Sequence, residues 1–155
     1  MSNSSSISGQ LLGGNGMYQK ILVAADGSDH SMRAANEAVK MAKANPDAAV
    51  TLLYVIDYEK ARNEILHGQS SDEVHFERRK HLEPLEAVFR DAGVSFETKT
   101  LHGTPGPTIV KHANEIGYDI VFIGSRGLNA LQEMVLGSVS HKVAKRVQAP
   151  VIIVK

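Results

Sequence analysis

The sequence predicts a doubly wound α/β domain, in which a five-stranded parallel sheet is sandwiched by four helices. Apolar runs that are too continuous for half-exposed strands recur along the chain. They alternate with segments whose apolar residues follow helical spacing, and several of them lead directly into turn residues. This alternation is typical of parallel strands joined by crossover helices.

Composition fits one domain with an aliphatic core. The chain has 155 residues, of which 43% are hydrophobic and 5% aromatic. Its 17 basic and 17 acidic residues cancel, which argues against nucleic acid or an anionic membrane as a partner. Because the chain has no cysteine, disulfides, thiolate metal sites and cysteine nucleophiles are excluded, and we expect a cytoplasmic protein. No apolar run approaches the roughly 20 residues that span a bilayer.

The N-terminal segment differs in composition from the rest of the chain. Residues 1–16 are rich in Ser, Gly and Asn, which predicts a flexible tail or the remnant of an expression tag. Met17 is a natural start, so we place the domain at residues 17–155.

The first half of the domain predicts a β-α-β unit. Lys20 to Ala25 is a nearly continuous apolar run that ends in Asp26-Gly27-Ser28-Asp29, a mixture of turn and N-cap residues. A helical pattern then continues to Asn45-Pro46, and Ala49 to Ile56 forms a second buried strand. A right-handed crossover places the two strands side by side.

The middle of the chain is less regular. Asp57 to Ser71 mixes charges with Gly and Ser, and we expect a mobile loop or a short helix whose position suits a lid. Asp72 to Asp91 has helical spacing, with a kink or a fresh start at Pro84. Val94 to Leu101 alternates apolar and polar side chains, which predicts a strand near a sheet edge.

The last part predicts two further helices and two strands. Thr104-Pro105 matches an N-cap followed by proline, and Gly117 ends that helix. Asp119 to Ile123 is a buried strand, Val139 to Val147 lines a helix, and Val151 to Val154 is an apolar terminal strand.

A glycine-rich stretch with regular spacing follows the fourth strand. It reads Gly124-x2-Gly127-x9-Gly137-Ser138, a pattern that random sequence of this length would contain in about half a percent of cases. Glycine lets backbone N–H groups approach an anion, and a helix N-terminus adds further donors. Spacing alone leaves open whether these glycines form a phosphate loop or ordinary turns.

The topology would bring this stretch close to the first turn. Ligands of doubly wound sheets bind beyond the carboxyl ends of the strands, where the strand order reverses. If strands one and four are neighbours, the turns at Asp26 and Gly124 face each other across one crevice.

These segments resemble the universal stress protein family, and specifically its ATP-binding branch, over about Met17 to Lys155. The matching segments are Asp26-Gly27-Ser28, Val55-Ile56-Asp57, Gly103-Thr104-Pro105 and Asp119 to Ser125, together with the Gly124-x2-Gly127-x9-Gly137-Ser138 spacing. The resemblance implies a Rossmann-like fold with strand order 3-2-1-4-5.

The resemblance also implies which residues bind nucleotide. Asp26 would accept hydrogen bonds from the ribose hydroxyls, Val55 would lie against adenine, and Ile123 would lie beside the adenosine. The glycine loop and the following helix N-terminus would hold the phosphates. The purely structural alternatives are N-caps for Asp26 and Ser138 and core packing for Val55 and Ile123. The full predicted set is Ala24, Asp26, Val55, Ile123, Gly124, Arg126, Gly127, Gly137, Ser138, Val139 and Ser140.

Two features depart from familiar patterns. Ala24 stands where the family often has proline, and no Walker lysine follows Gly137. Arg126 lies inside the loop instead, either to screen phosphate charge or as a solvated side chain. We expect Mg²⁺ or Mn²⁺ to bridge the phosphates with few protein ligands, with a metal-bound water at Asp29 and His30 as the alternative.

The implied function is an ATP-binding stress-response protein that couples nucleotide occupancy to its interactions. The ligand would be ATP, ADP or AMP, and the partners a second copy, bound through Val151 to Val154, and an unknown signalling protein. No catalytic residue is predicted. The alternatives are a slow ATPase or phosphotransferase that modifies itself at Ser138 or Ser140, and a structural dimer with a vestigial pocket.

Overall fold

A computed structural model of the chain describes residues 18–127 and 136–155. The predicted tail at residues 1–16 and the predicted start at Met17 lie outside the described residues. The elements in chain order are β1 (Lys20–Ala25), α1 (Asp29–Lys43), β2 (Ala49–Asp57), α2 (Tyr58–Leu66), α3 (Ser71–Asp91), β3 (Phe96–Gly103), α4 (Pro105–Ile116), β4 (Ile120–Gly124), α5 (Ser138–Arg146) and β5 (Val151–Val154).

The five strands form one parallel sheet in the order β3-β2-β1-β4-β5. This confirms the predicted fold class and strand order. In the register, Ala24 of β1 lies opposite both Leu53 of β2 and Ile123 of β4. The carboxyl ends of these three strands therefore meet at one edge, and the strand order reverses between β1 and β4.

Helices cover both faces of the sheet, which is why the central strands are apolar without interruption. On one face the buried side chains of Phe122, Leu85 and Phe89 belong to a core shared with α1 and α3. On the other face Val121 and Val143 belong to a core shared with α4 and α5. β3 alternates between half-buried and exposed residues along much of its length, as predicted for an edge strand.

The segment after β2, expected as a mobile loop or a short helix, contains the helix α2. Asp57 caps α2, because its Oδ1 accepts hydrogen bonds from the N–H groups of Glu59 and Lys60 at 3.0 and 3.4 Å. Ser70 and Glu73 then form a reciprocal capping box that starts α3. The described residues therefore contain five helices, one more than the sequence predicted.

α3 passes through Pro84 as one helix, so of the predicted alternatives, a kink or a fresh start, the fresh start is wrong. Pro84 is exposed, and the helix is held on both sides of it by the buried residues Leu82 and Leu85. Tertiary packing thus offsets the lost backbone hydrogen bond. None of the helices in the described ranges is long and apolar enough to cross a bilayer.

Candidate functional site

A cavity of about 380 Å³ lies beyond the carboxyl ends of β1, β2 and β4, at the point where the strand order reverses. Its volume lies in the range of small-molecule sites. All the residues predicted for the site line it: Ala24, Asp26, Val55, Ile123, Gly124, Arg126, Gly127, Gly137, Ser138, Val139 and Ser140. The structure thus brings the whole set together, while their contacts with a ligand stay a prediction.

The turn after β1 fixes the Asp26 carboxylate at the mouth of this cavity. Its Oδ1 accepts a hydrogen bond from the Ser28 N–H at 3.0 Å, and Ser28 in turn caps α1. Gly27 has a φ of +87°, which only glycine adopts readily, and its N–H donates to Ser31 Oγ at 3.2 Å. A Cβ built on Gly127 would lie 2.7 Å from Asp26 Oδ2, so the β1 turn and the glycine loop touch.

Gly124 lies so close to the start of α1 that a side chain would not fit at this position. A Cβ there would lie 2.7 Å from His30 Cβ and 2.8 Å from the His30 carbonyl carbon. The missing side chain therefore lets the start of α1 pack on the end of β4. This packing role adds to the predicted role of Gly124 in admitting phosphates.

Backbone amides form the polar end of the cavity. Gly137 is the N-cap of α5, and its own N–H donates to the Ser125 carbonyl at 2.7 Å. The Ser140 hydroxyl also donates to that carbonyl at 2.9 Å, with the Gly137 carbonyl as a second acceptor at 3.1 Å. The first-turn amides of Ser138, Val139 and Ser140 have no intrahelical acceptor, and they lie at the positive end of the helix dipole. An anion would bind here through backbone donors.

Two polar side chains accompany these amides. Arg126 is half-buried and lines the cavity, and within the described residues it makes no ion pair. Ser138 is exposed and also lines the cavity. Both are placed to meet an anion at the α5 N-terminus.

The remaining floor of the cavity is apolar. Ala24, Ile109 and Ile123 are at most 6% exposed and belong to the core between the sheet, α4 and α5. Val55 and Val139 pack against the same core and are partly open to the cavity. The arrangement suits a ligand with an apolar part and an anionic part.

Helices α2 and α3 form a further wall, whose lining residues the sequence analysis did not predict. It contributes Lys60, Ala61, Glu64, Val74, Glu77, Arg78 and His81. Asp57 before a run of helix formers, and the Ser70/Glu73 capping pair, were the available signals for these helices. No local pattern shows which side chains of such helices face a cavity.

Tyr54 and His81 meet where this wall reaches the sheet. The Tyr54 hydroxyl lies 3.4 Å from His81 Nδ1, and His81 packs against Gly27, where a Cβ would lie 2.7 Å from the His81 ring. Burial raises the pKa of Tyr54 above its usual value; Arg78 opposes the rise, and Asp26 and Glu64 add to it. The phenol is therefore neutral near pH 7 and available for hydrogen bonding.

The structure gives no support to a metal-bound water at Asp29 and His30. His30 Nδ1 lies 3.3 Å from Arg33 Nη2 and 3.4 Å from Ser125 Oγ, and neither Asp29 nor His30 lines the cavity. Within residues 18–127 and 136–155 no cluster of three or more His, Asp or Glu side chains could hold a metal ion.

The fold and the cavity define a doubly wound α/β protein with a cavity of small-molecule size at the reversal of the strand order. The sequence model of the universal stress protein family matches residues 17–155, and the chain belongs to that family.

Relatives and solved structures agree with this assignment. Universal stress protein YxiE of Bacillus subtilis is 38% identical over 149 residues, covering 90% of this chain and all of the relative. The solved structure of hypothetical protein MJ0577 has a TM-score of 0.79 and 31% identity, over 90% of this chain and 97% of that one. A universal stress protein in complex with cAMP has a TM-score of 0.68 and 27% identity, over 90% and 99%.

Proposed function

We propose that the chain binds an adenine nucleotide, with ATP as the expected ligand, and that occupancy of the site controls its interactions with partners. The observation that carries the proposal is the convergence of the predicted set on one cavity with an apolar floor and open helix amides. The similar universal stress protein solved with cAMP supports an adenine nucleotide as the class of ligand.

Each end of the cavity would bind a different part of the nucleotide. The apolar surface of Val55, Ile109 and Ile123 would pack against the base, and Asp26 would accept hydrogen bonds from the ribose hydroxyls. The amides of Ser138 and Val139 would donate to the phosphates. The bound nucleotide would thus contact β1, β2, β4 and α5 together.

A divalent ion would complete a triphosphate complex without a dedicated protein cage. Since the described residues provide no cluster of carboxylate and imidazole ligands, Mg²⁺ or Mn²⁺ would be held by phosphate oxygens and water. The ion would screen phosphate charge, as would Arg126.

Calorimetric titration of the purified chain with ATP tests the proposal. We expect a dissociation constant in the micromolar range, which corresponds to a binding free energy of about −8 kcal/mol. Denaturing the purified chain and identifying any released nucleotide by mass spectrometry gives an independent check. Absence of binding at millimolar ATP would refute the nucleotide proposal. Retention of labelled ATP without release of phosphate is expected of a sensor, whereas rapid turnover would indicate an ATPase.

We further propose that the chain forms a homodimer through β5. This strand pairs with β4 on one side and forms the other edge of the described sheet, and Ile152 on it is 36% exposed. Replacement of Ile152 by Lys should convert a dimer to a monomer in light scattering, and a monomeric wild-type chain at micromolar concentration would contradict this proposal.

With no cysteine and an abundant ligand, the expected location is the cytoplasm.

A further inference from the structure

Ser125 connects the glycine loop to two other elements. It is 3% exposed, and its N–H donates to the Val154 carbonyl at the end of β5 at 2.8 Å. Its carbonyl accepts the Gly137 N–H at 2.7 Å and the Ser140 hydroxyl at 2.9 Å. One buried residue therefore ties the end of β5 to the start of α5.

Arg33 on α1 provides a second link between the same regions. Its Nε donates to the Lys155 carbonyl at 2.8 Å, and its Nη2 lies 3.3 Å from His30 Nδ1. Because a guanidinium only donates, His30 Nδ1 is the acceptor, and the Ser125 hydroxyl lies 3.4 Å from the same nitrogen, so that the two donors share its one lone pair. Arg33 is exposed and does not line the cavity.

We propose that Arg33 is a positioning residue for the phosphate end of the cavity. It holds Lys155 and His30 at once, and through His30 and Ser125 it fixes the carbonyl that orients Gly137, the N-cap of α5. This inference rests on the proposed nucleotide function. It extends that function by making phosphate affinity depend on how Val154 and Lys155 are held.

The contacts confine the effect to one end of the ligand. Binding an anion through amides requires those amides to be held within roughly half an ångström of the productive position. The apolar floor is built instead on Ala24, Ile109 and Ile123, which belong to the core on the α4 and α5 side of the sheet, whereas Arg33 lies on α1. Loss of the Arg33 contacts therefore weakens recognition of phosphate and leaves recognition of adenosine unchanged.

The same contacts couple the site to the sheet edge at β5. A partner strand that pairs with β5 would help to hold Val154 and Lys155, and so would stabilise the phosphate end. By linkage, a bound triphosphate would stabilise that pairing by the same factor.

Calorimetry with ATP and with adenosine tests the proposal on the full chain. For Arg33→Ala we expect ATP affinity to fall about threefold to tenfold, the size expected for one lost hydrogen-bonding group, while adenosine affinity stays at the wild-type value. Arg33→Lys keeps the charge but cannot span both acceptors, so it should behave like the alanine variant. Lys43→Ala removes one positive charge at the far end of the same helix and should match wild type.

Amide hydrogen exchange provides a second test, which does not depend on ligand affinity. Amide hydrogen exchange of Gly137 should be faster in Arg33→Ala and in Ser125→Ala, at an unchanged melting temperature. Ser125→Ala removes only the hydroxyl contact with His30 and should show the same selective loss of ATP affinity.

Three results would overturn the inference. Equal losses for ATP and adenosine would indicate a general structural role, and unchanged ATP affinity with unchanged Gly137 exchange would show that Arg33 does not position the loop. Failure of the wild-type chain to bind either ligand would refute the proposed function and this inference with it.

Discussion

At the scale of residues, two glycines of the same loop are expected to respond differently to alanine. A Cβ at Gly124 would collide with backbone and Cβ atoms of His30, whereas among the described residues a Cβ at Gly127 would meet only the tip of the Asp26 side chain. We expect Gly124→Ala to destabilise the fold by about 1–3 kcal/mol, because the α1 backbone cannot give way cheaply. Gly127→Ala should cost less stability but displace Asp26 and weaken ATP binding.

Urea unfolding and ATP calorimetry on both variants measure this contrast. Equal stability losses would show that the two glycines share one role. Sequence reasoning grouped them as phosphate-facing residues, because the position of His30 relative to β4 depends on how α1 packs and leaves no trace in local spacing.

Asp26 offers a test of the adenosine end. Asp26→Asn keeps an oxygen that can accept the Ser28 N–H at this turn, so the fold should persist, but it removes the charged acceptor proposed for the ribose hydroxyls. A hydrogen bond to a charged group contributes about 1.5–3 kcal/mol, which predicts a loss of affinity for ATP of roughly tenfold or more. Calorimetry with 2′-deoxy-ATP is the control, since the variant should discriminate less between the two ligands than wild type does.

At the scale of elements, two substitutions at the N-terminus of α5 distinguish binding of ATP by the Ser138 hydroxyl from binding by the Ser138 backbone amide. Ser138 is the first residue of α5, where proline is tolerated, and Gly137 has a φ of −70° and a ψ of 161°, a conformation that proline accepts before it. Ser138→Ala removes only the hydroxyl, whereas Ser138→Pro also removes the amide. We expect a further loss of ATP affinity in the proline variant, with helix content preserved by circular dichroism.

Equal ATP affinities for these two variants would contradict an amide contact at this position. A loss of helix content in Ser138→Pro would transfer the test to the NMR shift of the Ser138 amide when the wild-type chain is titrated with ATP.

Within the α2–α3 wall, α3 was predicted from its spacing, whereas α2 was given only as an alternative to a loop. α2 has no buried residue among its nine, so it lacks the apolar stripe by which a helix is recognised in sequence. It forms because Asp57 caps it and because Tyr58 stacks on His102 of β3 at a ring distance of 5.8 Å. The second of these causes is a tertiary contact that local sequence cannot predict.

At the scale of the whole molecule, the sheet was predictable because the pattern of apolar residues in each strand reflects the position of that strand in the sheet. β1, β2 and β4 are buried on both faces and read as continuous apolar runs, and β3 alternates because it is an edge. Convergence of the site residues then follows from parallel topology alone. The far wall of the cavity does not, because it depends on the packing of α2 and α3.

Stability should fall in mild acid through His112. This buried side chain bonds the Tyr118 hydroxyl through Nε2 at 2.8 Å, and burial lowers its pKa, with Lys99 adding to the effect and Glu115 and Glu97 opposing it. In the folded protein the pKa of His112 lies below its unfolded value of about 6.5. The stability that the neutral His112 side chain contributes is therefore fully present above that value and is lost as pH falls through the folded pKa. Urea unfolding between about pH 7 and 5 should show a smaller loss in His112→Gln than in wild type; parallel curves would exclude His112 as the cause.

The most direct test of the nucleotide site is a titration of the isotope-labelled chain with ATP, followed by NMR of the backbone amides. At micromolar ATP the amides of Val55, Gly127, Ser138 and Val139 should shift together, because one ligand spans both ends of the cavity. Shifts confined to residues outside the cavity, or no shifts at millimolar ATP, would contradict a nucleotide site at the reversal of the strand order.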